Sequence, residues 1–250
     1  MSGHSKWHSI KHKKGALDAK RGKIFTKHAK LIMISARDGG GDPDMNPTLR
    51  TAISNAKADN VPNTNIEKAI KKGSGEDKDA ANFVEVMYEG FGPAGTSIYV
   101  KSITDNKNRA FSNIKTTFAK NGGNMGEAGS VGWMFEKKGI IIVKVGDKNP
   151  EESELEIIEA GAEDLEMDGD TFEVITDASS VMQVRDDLEK AGFEIAKAEQ
   201  TYLPKDPIEI KNLEDAKKII RLMELIEDDE DVSDVYSNFD ISEDLMTQID

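Results

Sequence analysis

The spacing of apolar residues changes character near residue 83 of this chain, and that change constrains the fold more than any other feature. Up to about residue 80 they recur every three to four positions, as on one face of a helix; from residue 83 onward segments appear in which they alternate. A run of helices followed by strand-bearing segments with further helices between them predicts an α+β protein.

Leu17, Phe25, Ala29, Ile32 and Ala36 lie at helical spacing, and the stretch stops at the loop-forming sequence DGGGDP, residues 38–43. A second helix follows. Asn46 can cap it, Pro47 suits its first position, Leu49, Ala52, Ile53 and Ala56 form its apolar face, and it should end near Asn60, ahead of Pro62. The third starts at a capping-box pattern, Thr64 with Glu67, buries Ile66, Ala69 and Ile70, and ends at 71–73. The short link between the second and third helices admits a helix-turn-helix, in which Lys68, Lys71 and Lys72 would touch phosphate and Asn65 a base. Plain helix packing is the alternative.

Residues 83–89 and 96–104 alternate as strands around GFGPAG, residues 90–95. That joint matches G-x-G-x-x-G but leads from strand to strand, whereas a dinucleotide fingerprint leads from strand into helix, so a hairpin loop is expected. A helix opened by residues 105–109 buries Ala110, Ile114 and Phe118 and closes at 121–123; its first turn reads either as a phosphate contact or as an exposed polar turn capped by Asp105. GGNMGEAGSVG, residues 122–132, is too rich in glycine for a packed element and is expected to be a mobile loop; Val131, Trp133 and Phe135 then alternate as a strand.

From residue 139 to about 203 the predicted order is strand 140–145, helix 151–160, strands 162–167 and 171–176 around Asp168-Gly169-Asp170, helix 179–191, strand 194–202. This is βαββαβ, the ferredoxin-like plan. Residues 204–207 read as a linker. Leu213, Ala216, Ile219, Ile220, Met223 and Ile226 define another helix, and 231–239 a last strand. An isolated helix and strand cannot bury their apolar faces, so they should return to the sheet of 83–136. The expected domains are 1–80, a basic arm and helical bundle; 81–136 with 207–250, a split central α/β domain; and 137–206, an inserted ferredoxin-like domain.

Charge is as unevenly laid out as periodicity. The chain is at net −14, yet residues 1–37 carry ten Lys or Arg against one acid, Asp18. Residues 133–250 carry a net −22. A low pI of 4.8 thus conceals a bipolar molecule whose acidic half would turn the basic pole toward phosphates. Lysines displace counterions from a phosphate chain, and an embedded indole, Trp7, can stack on an unpaired base. A solvated amino-terminal tail is the alternative for such a composition. Against it stand the apolar Trp7 and Ile10 and the gathering of all four histidines, His4, His8, His12 and His28, in one stretch.

These residues also carry a resemblance. GHSKWHSIKHKKGALDAKRGKIFTKHAKLI at 3–32 is similar to the amino-terminal signature of the YebC family, a family of probable transcriptional regulators that includes mitochondrial translational activators. NPTLRTAISNAKADNVPNTNIEKAIKKGSGE at 46–76, YEGFGPAGTSIYV at 88–100 and TDNKNRAFSNIKTTFAKNGGNMGEAGSVGWMFEKKG at 104–139 match in register, and the likeness continues more loosely beyond 139. It implies three domains with a helical one first. It implies either transcriptional regulation through DNA or, from the mitochondrial members, a translational role at the ribosome.

Other chemistries find little support. There is no cysteine, hence no disulfide, thiolate metal site or thiol nucleophile. His4, His8 and His12 sit four apart, but no carboxylate completes a metal site within that stretch, and hydrogen-bonding or stacking histidines in a nucleic-acid arm are favoured. No Walker, G-x-S-x-G or paired-carboxylate motif stands out, and DDED at 228–231 lacks a calcium-loop glycine and is expected to solvate the end of a helix. No apolar run approaches a membrane span and no signal-peptide core follows the basic start, so a cytoplasmic protein is expected.

The expectation is a non-enzymatic nucleic-acid-binding regulator without a cofactor. Lys6, Trp7, Lys11, His12, Lys13, Lys14, Lys20, Arg21, Lys23 and Lys27 would supply the main contacts, and Lys107 and Arg109 at a helix start an auxiliary phosphate site. The partner would be DNA, or ribosomal RNA within the ribosome. A scaffold whose acidic ferredoxin-like unit binds a protein is a second possibility.

Overall fold

The computed structural model describes residues 18–75 and 83–249, with backbone alone for 18–21 and Glu243. These residues fall into two compact units: 18–30, 83–136 and 203–249 form the first, 31–75 and 137–202 the second. Both mix helix with mainly antiparallel sheet, as the α+β reading of the sequence requires.

The helices of the amino-terminal part are α1 (Asp18–Gly39), α2 (Pro47–Ala58) and α3 (Asn63–Gly73), and the unit boundary falls inside α1, after Lys30. Ile32, Ala36, Leu49, Ala56, Ile66 and Ala69 are buried, the faces that helical spacing picks out. Asn46 does more than cap α2. Its Oδ1 accepts from the Leu49 amide at 3.1 Å, while its Nδ2 donates to the carbonyls of Ser35 and Gly40, both at 2.8 Å. A side chain at Gly39 would stand 2.6 Å from that amide, so glycine there leaves the room the cap needs. Asn46→Ala should therefore lose about 2 kcal/mol, the upper range for a cap, because the bonds to the Ser35 and Gly40 carbonyls are lost with it; urea unfolding measures this.

The capping box expected at Thr64 is not formed. The helix begins two residues earlier, with Pro62 in the capping position and no side chain bonded to the first turn, and the Asn65 and Ile66 amides bond to the Pro62 carbonyl at 2.9 and 3.2 Å.

In the second unit β4 (Phe135–Lys144), α5 (Pro150–Glu159), β5 (Asp164–Asp168), β6 (Thr171–Asp177), α6 (Val181–Lys190) and β7 (Glu194–Pro204) follow one another, and the strands lie in the order β5-β6-β4-β7. This is the ferredoxin-like arrangement. Ile141, Val143, Phe172 and Val174 pack with Ile157 of α5 and Val184 and Leu188 of α6. Within the same unit the helical pair is tied to this sheet. The Arg185 guanidinium, 5% exposed, donates to Thr51 Oγ1 at 3.0 Å, and Asn55 Nδ2 donates to the Ala198 carbonyl at 2.8 Å.

The first unit is built on the sheet β3-β1-β2-β9, with β1 (Val84–Phe91), β2 (Ser97–Thr104), β3 (Asn124–Met125) and β9 (Val232–Ser237). β1 and β2 form an antiparallel hairpin from Val84↔Thr104 to Phe91↔Ser97, closed by the turn Pro93–Gly95. The G-x-G-x-x-G stretch is thus a strand-to-strand connection. Helices α4 (Lys107–Lys120) and α7 (Leu213–Glu227) contribute Ala110, Ile114, Phe118, Ile219, Leu222, Met223 and Ile226 to one core with Tyr88, Ile98, Val100 and Val235. A side chain at Gly90 would meet the Phe118 ring at 2.7 Å, so this glycine lets α4 lie close against β1.

The expected final strand is two: β9, and β10 (Phe239–Ile241), which pairs in parallel with β8 (Ile208–Ile210). A short helix, α8 (Glu243–Met246), follows.

Residues 122–134 correct the sequence reading most. β3 pairs with the end of β1, the Gly126 amide bonds the Glu89 carbonyl at 2.8 Å, and Gly132–Met134 is a 3-10 turn, not a strand. At the centre lies the Glu89 carboxylate, 8% exposed, accepting from the amides of Gly129, Val131 and Gly132 at 2.7, 2.6 and 2.7 Å. Burial alone would raise this carboxyl's pKa, but the three amide donors outweigh it and hold it below its ordinary value. The glycines supply the close-set backbone that wraps one buried anion.

Candidate nucleic-acid interface

Helix α1 presents Lys23, Lys27 and Lys30 at intervals of four and three residues, hence on one face. Lys23 and Lys27 reach the carboxyl end of α7, and Lys30 the turn just beyond it. Lys23 Nζ donates to the Asp228 carbonyl at 3.0 Å and to its Oδ1 at 3.1 Å, Lys27 Nζ to the Glu227 carbonyl at 2.8 Å, and Lys30 Nζ to the Glu230 carbonyl at 2.5 Å. The carbonyls at the end of a helix have no partner within it and form the negative pole of its dipole, so cations belong there. Lys30 also stands 3.6 Å from Asp231 Oδ1 and 5.5 Å from the Phe83 ring centre.

Asp231, 2% exposed, sits at the centre of this cluster. Arg109 Nε donates to its Oδ2 at 2.8 Å and Nη2 to its Oδ1 at 2.7 Å, while the same Nη2 reaches Asp105 Oδ1 at 2.7 Å. Burial would push the Asp231 carboxyl up, but the Arg109 and Thr104 hydrogen bonds and the Lys30 charge bring it below its ordinary value. The Arg109 guanidinium is correspondingly raised, first by Asp231 and then by Asp105.

The residues singled out in the sequence thus have different placements. Lys6, Trp7, Lys11, His12, Lys13 and Lys14 lie outside the described residues, as do His4 and His8. Lys20 and Arg21 are on the first turn of α1, with only their backbone described. Lys23, Lys27 and Arg109 are engaged by the protein's own carbonyls and carboxylates. Lys107 is exposed on α4, without an ion pair among the described residues. Asp105 does not cap α4; Asn106 does, its side chain accepting from the Arg109 amide at 3.1 Å, which leaves Asp105 for the Arg109 side chain. Lys68, Lys71 and Lys72 are exposed on α3, and His28 of α1 is buried.

Sequence reasoning missed the acidic turn 228–231 as an acceptor of this lysine face, expecting it to be solvated. The usable signal was the spacing of 23, 27 and 30 itself, since cations on one helix face ask for a common counter-surface. Among the described residues no helix is long and apolar enough to cross a membrane.

Comparison with known proteins agrees with this architecture. The family model described as the TACO1/YebC protein N-terminal domain matches residues 5–76, and that described as the TACO1/YebC second and third domain matches 83–239. The chain is 48% identical over 250 residues to a probable transcriptional regulatory protein of Fusobacterium nucleatum, covering 100% of both. It is 51% identical over 247 residues to one of Desulfatibacillum aliphaticivorans, covering 98% of this chain and 99% of that protein. The crystal structure of a conserved hypothetical protein of Aquifex aeolicus superposes with a TM-score of 0.88 at 43% identity, over 96% of this chain and 98% of that one. The chain belongs to the TACO1/YebC family.

Proposed function

We propose that this protein is a non-enzymatic, nucleic-acid-binding regulator of gene expression that grips DNA through its basic amino-terminal arm and the start of α1. One observation carries this: ten basic residues against one acid in the first 37 positions of a chain whose net charge is −14. The names of its relatives, probable transcriptional regulatory proteins, support the regulatory part. Lys11, Lys13, Lys14, Lys20 and Arg21 are the principal phosphate contacts, and Lys107 an auxiliary one. Lys23 and Lys27, which bond to the end of α7, hold α1 in place and contribute to binding through their field. In this scheme the helical segment 1–80 carries the nucleic-acid contacts, 81–136 with 207–250 anchors it, and the acidic insert 137–206 keeps polyanions on the basic side.

A second reading is a translation factor that binds ribosomal RNA. Trp7 favours it, because an indole among lysines suits an unpaired base, whereas bases in duplex DNA stay stacked.

Turning Lys11, Lys13, Lys14, Lys20 and Arg21 to glutamate should abolish binding at moderate salt. The plot of log affinity against log salt should become shallower by about 0.9 for each phosphate no longer neutralised on duplex DNA, or about 0.7 on a single strand. Filter binding across a salt series checks this, and an unchanged slope would sink the proposal. Crosslinking in cells then tells promoter DNA from ribosomal RNA.

A further inference from the structure

We infer that the outward face of α4 is a second nucleic-acid-binding surface, one that stacks an unpaired base on Phe111 between phosphates held by Lys107 and Lys115. This deepens the proposed function and rests on it. Helix α4, KNRAFSNIKTTFAK, carries four basic residues and no acid in a strongly anionic chain. Its buried line is Ala110, Ile114 and Phe118. One residue further on runs a second line at the same four-residue spacing, Lys107, Phe111 and Lys115, and all three are exposed.

Phe111 is 45% exposed, too much for a ring placed there to fill the core. It is nevertheless held: its centroid lies 6.2 Å from that of buried Tyr88, at 57°, and the Lys115 ammonium lies 5.5 Å from its centre. Neither Lys107, Lys115 nor Lys120 takes part in an ion pair among the described residues, whereas Arg109 on the same helix is paired with Asp231 and Asp105. The other exposed side chains here, Asn108, Ser112, Asn113 and Thr116, are neutral hydrogen-bonding groups.

Chemistry selects the ligand. Four residues along a helix is about 6 Å of rise, so a cation stands one turn to either side of the ring. A flat aromatic flanked by cations takes the face of a base and the phosphates beside it, and only an unpaired base offers its face. A protein partner fits less well, because lysine is depleted from the cores of protein interfaces.

The test uses the full chain and a fluorescent uridine oligomer of about twelve nucleotides, within the usual range of single-strand site sizes. Phe111→Leu keeps the apolar bulk over Tyr88 but removes the ring, and should weaken binding about tenfold, the range expected when one base loses its stacking platform. It should leave binding of a blunt duplex of equal length unchanged. Lys107→Glu with Lys115→Glu should make the salt dependence shallower by about 1.4, for two phosphates on a single strand. Thermal unfolding of each variant controls for folding. If the parent binds the oligomer and reversal of the arm charges abolishes this, but F111L and the double variant bind like the parent, the α4 inference is overturned and the arm stands. If the parent binds no nucleic acid at all, the proposed function falls and takes this surface with it.

Discussion

Replacing Asp231 with alanine should destabilise the protein by about 3 kcal/mol, the low end of what breaking a buried ion pair costs. The low end is chosen because Arg109 is half-exposed and can recover water, whereas Lys30, whose side chain is 10% exposed, cannot do so readily. Removing the carboxylate leaves Lys30 with the Glu230 carbonyl and the Phe83 ring but no anion to pair with, and frees Arg109 from its two-pronged bond. Urea unfolding followed by far-UV circular dichroism measures the change. Asp231→Asn should fall between parent and alanine, since it keeps one acceptor oxygen. A loss below about 1 kcal/mol would mean that these cations find equivalent partners elsewhere on the turn, within the range of an ordinary surface pair.

Glu89→Ala is expected to cost a similar amount, about 3 kcal/mol, because three inward-pointing amides lose a charged acceptor together. Local damage should be larger than global. Residues 126–132 are laid around that carboxylate, so limited proteolysis should open this segment in the variant at denaturant levels where the parent resists. Glu89→Gln should recover part of the loss, its one carbonyl oxygen serving either the Gly129 amide or the Val131 and Gly132 pair. Acid should imitate both substitutions. Asp231 and Glu89 have folded-state pKa values held below their ordinary values of 3.8 and 4.5. The stability they contribute is therefore complete above those values and is lost as pH falls through the lower, folded ones. Stability of the parent should drop below about pH 4.5, and the drop should be smaller in E89Q.

These two carboxylates also mark where the chain is and is not legible. Periodicity is enough to find the buried faces of α1, α4 and α7, because each is a local pattern with a core to meet. Asn46-Pro47 announces α2 for the same reason. The segment after α4 misleads because its glycines look like conformational freedom when viewed alone; their ligand, Glu89, lies forty residues earlier on β1 and reads there as one more polar position on an alternating strand. The turn at 228–231 misleads in the same way, its lysine partners being two hundred residues away. Long-range pairing of polar groups leaves no period in the accepting segment to detect. The basic arm is legible as a charge anomaly, and the family resemblance gives it a meaning that composition cannot.

The placement of β9 has a consequence for how the molecule comes into being. Residues 232–237 lie beside β2, so the sheet that starts at Val84 lacks its fourth strand until the last part of the chain has been synthesised. The βαββαβ segment in between is contiguous and can close while the ribosome is still at work, since its pairings span far shorter loops. Assembly should therefore run from the middle outward, and nascent chains cut short before Val232 should hold a finished βαββαβ sheet while the sheet β3-β1-β2 still waits for β9.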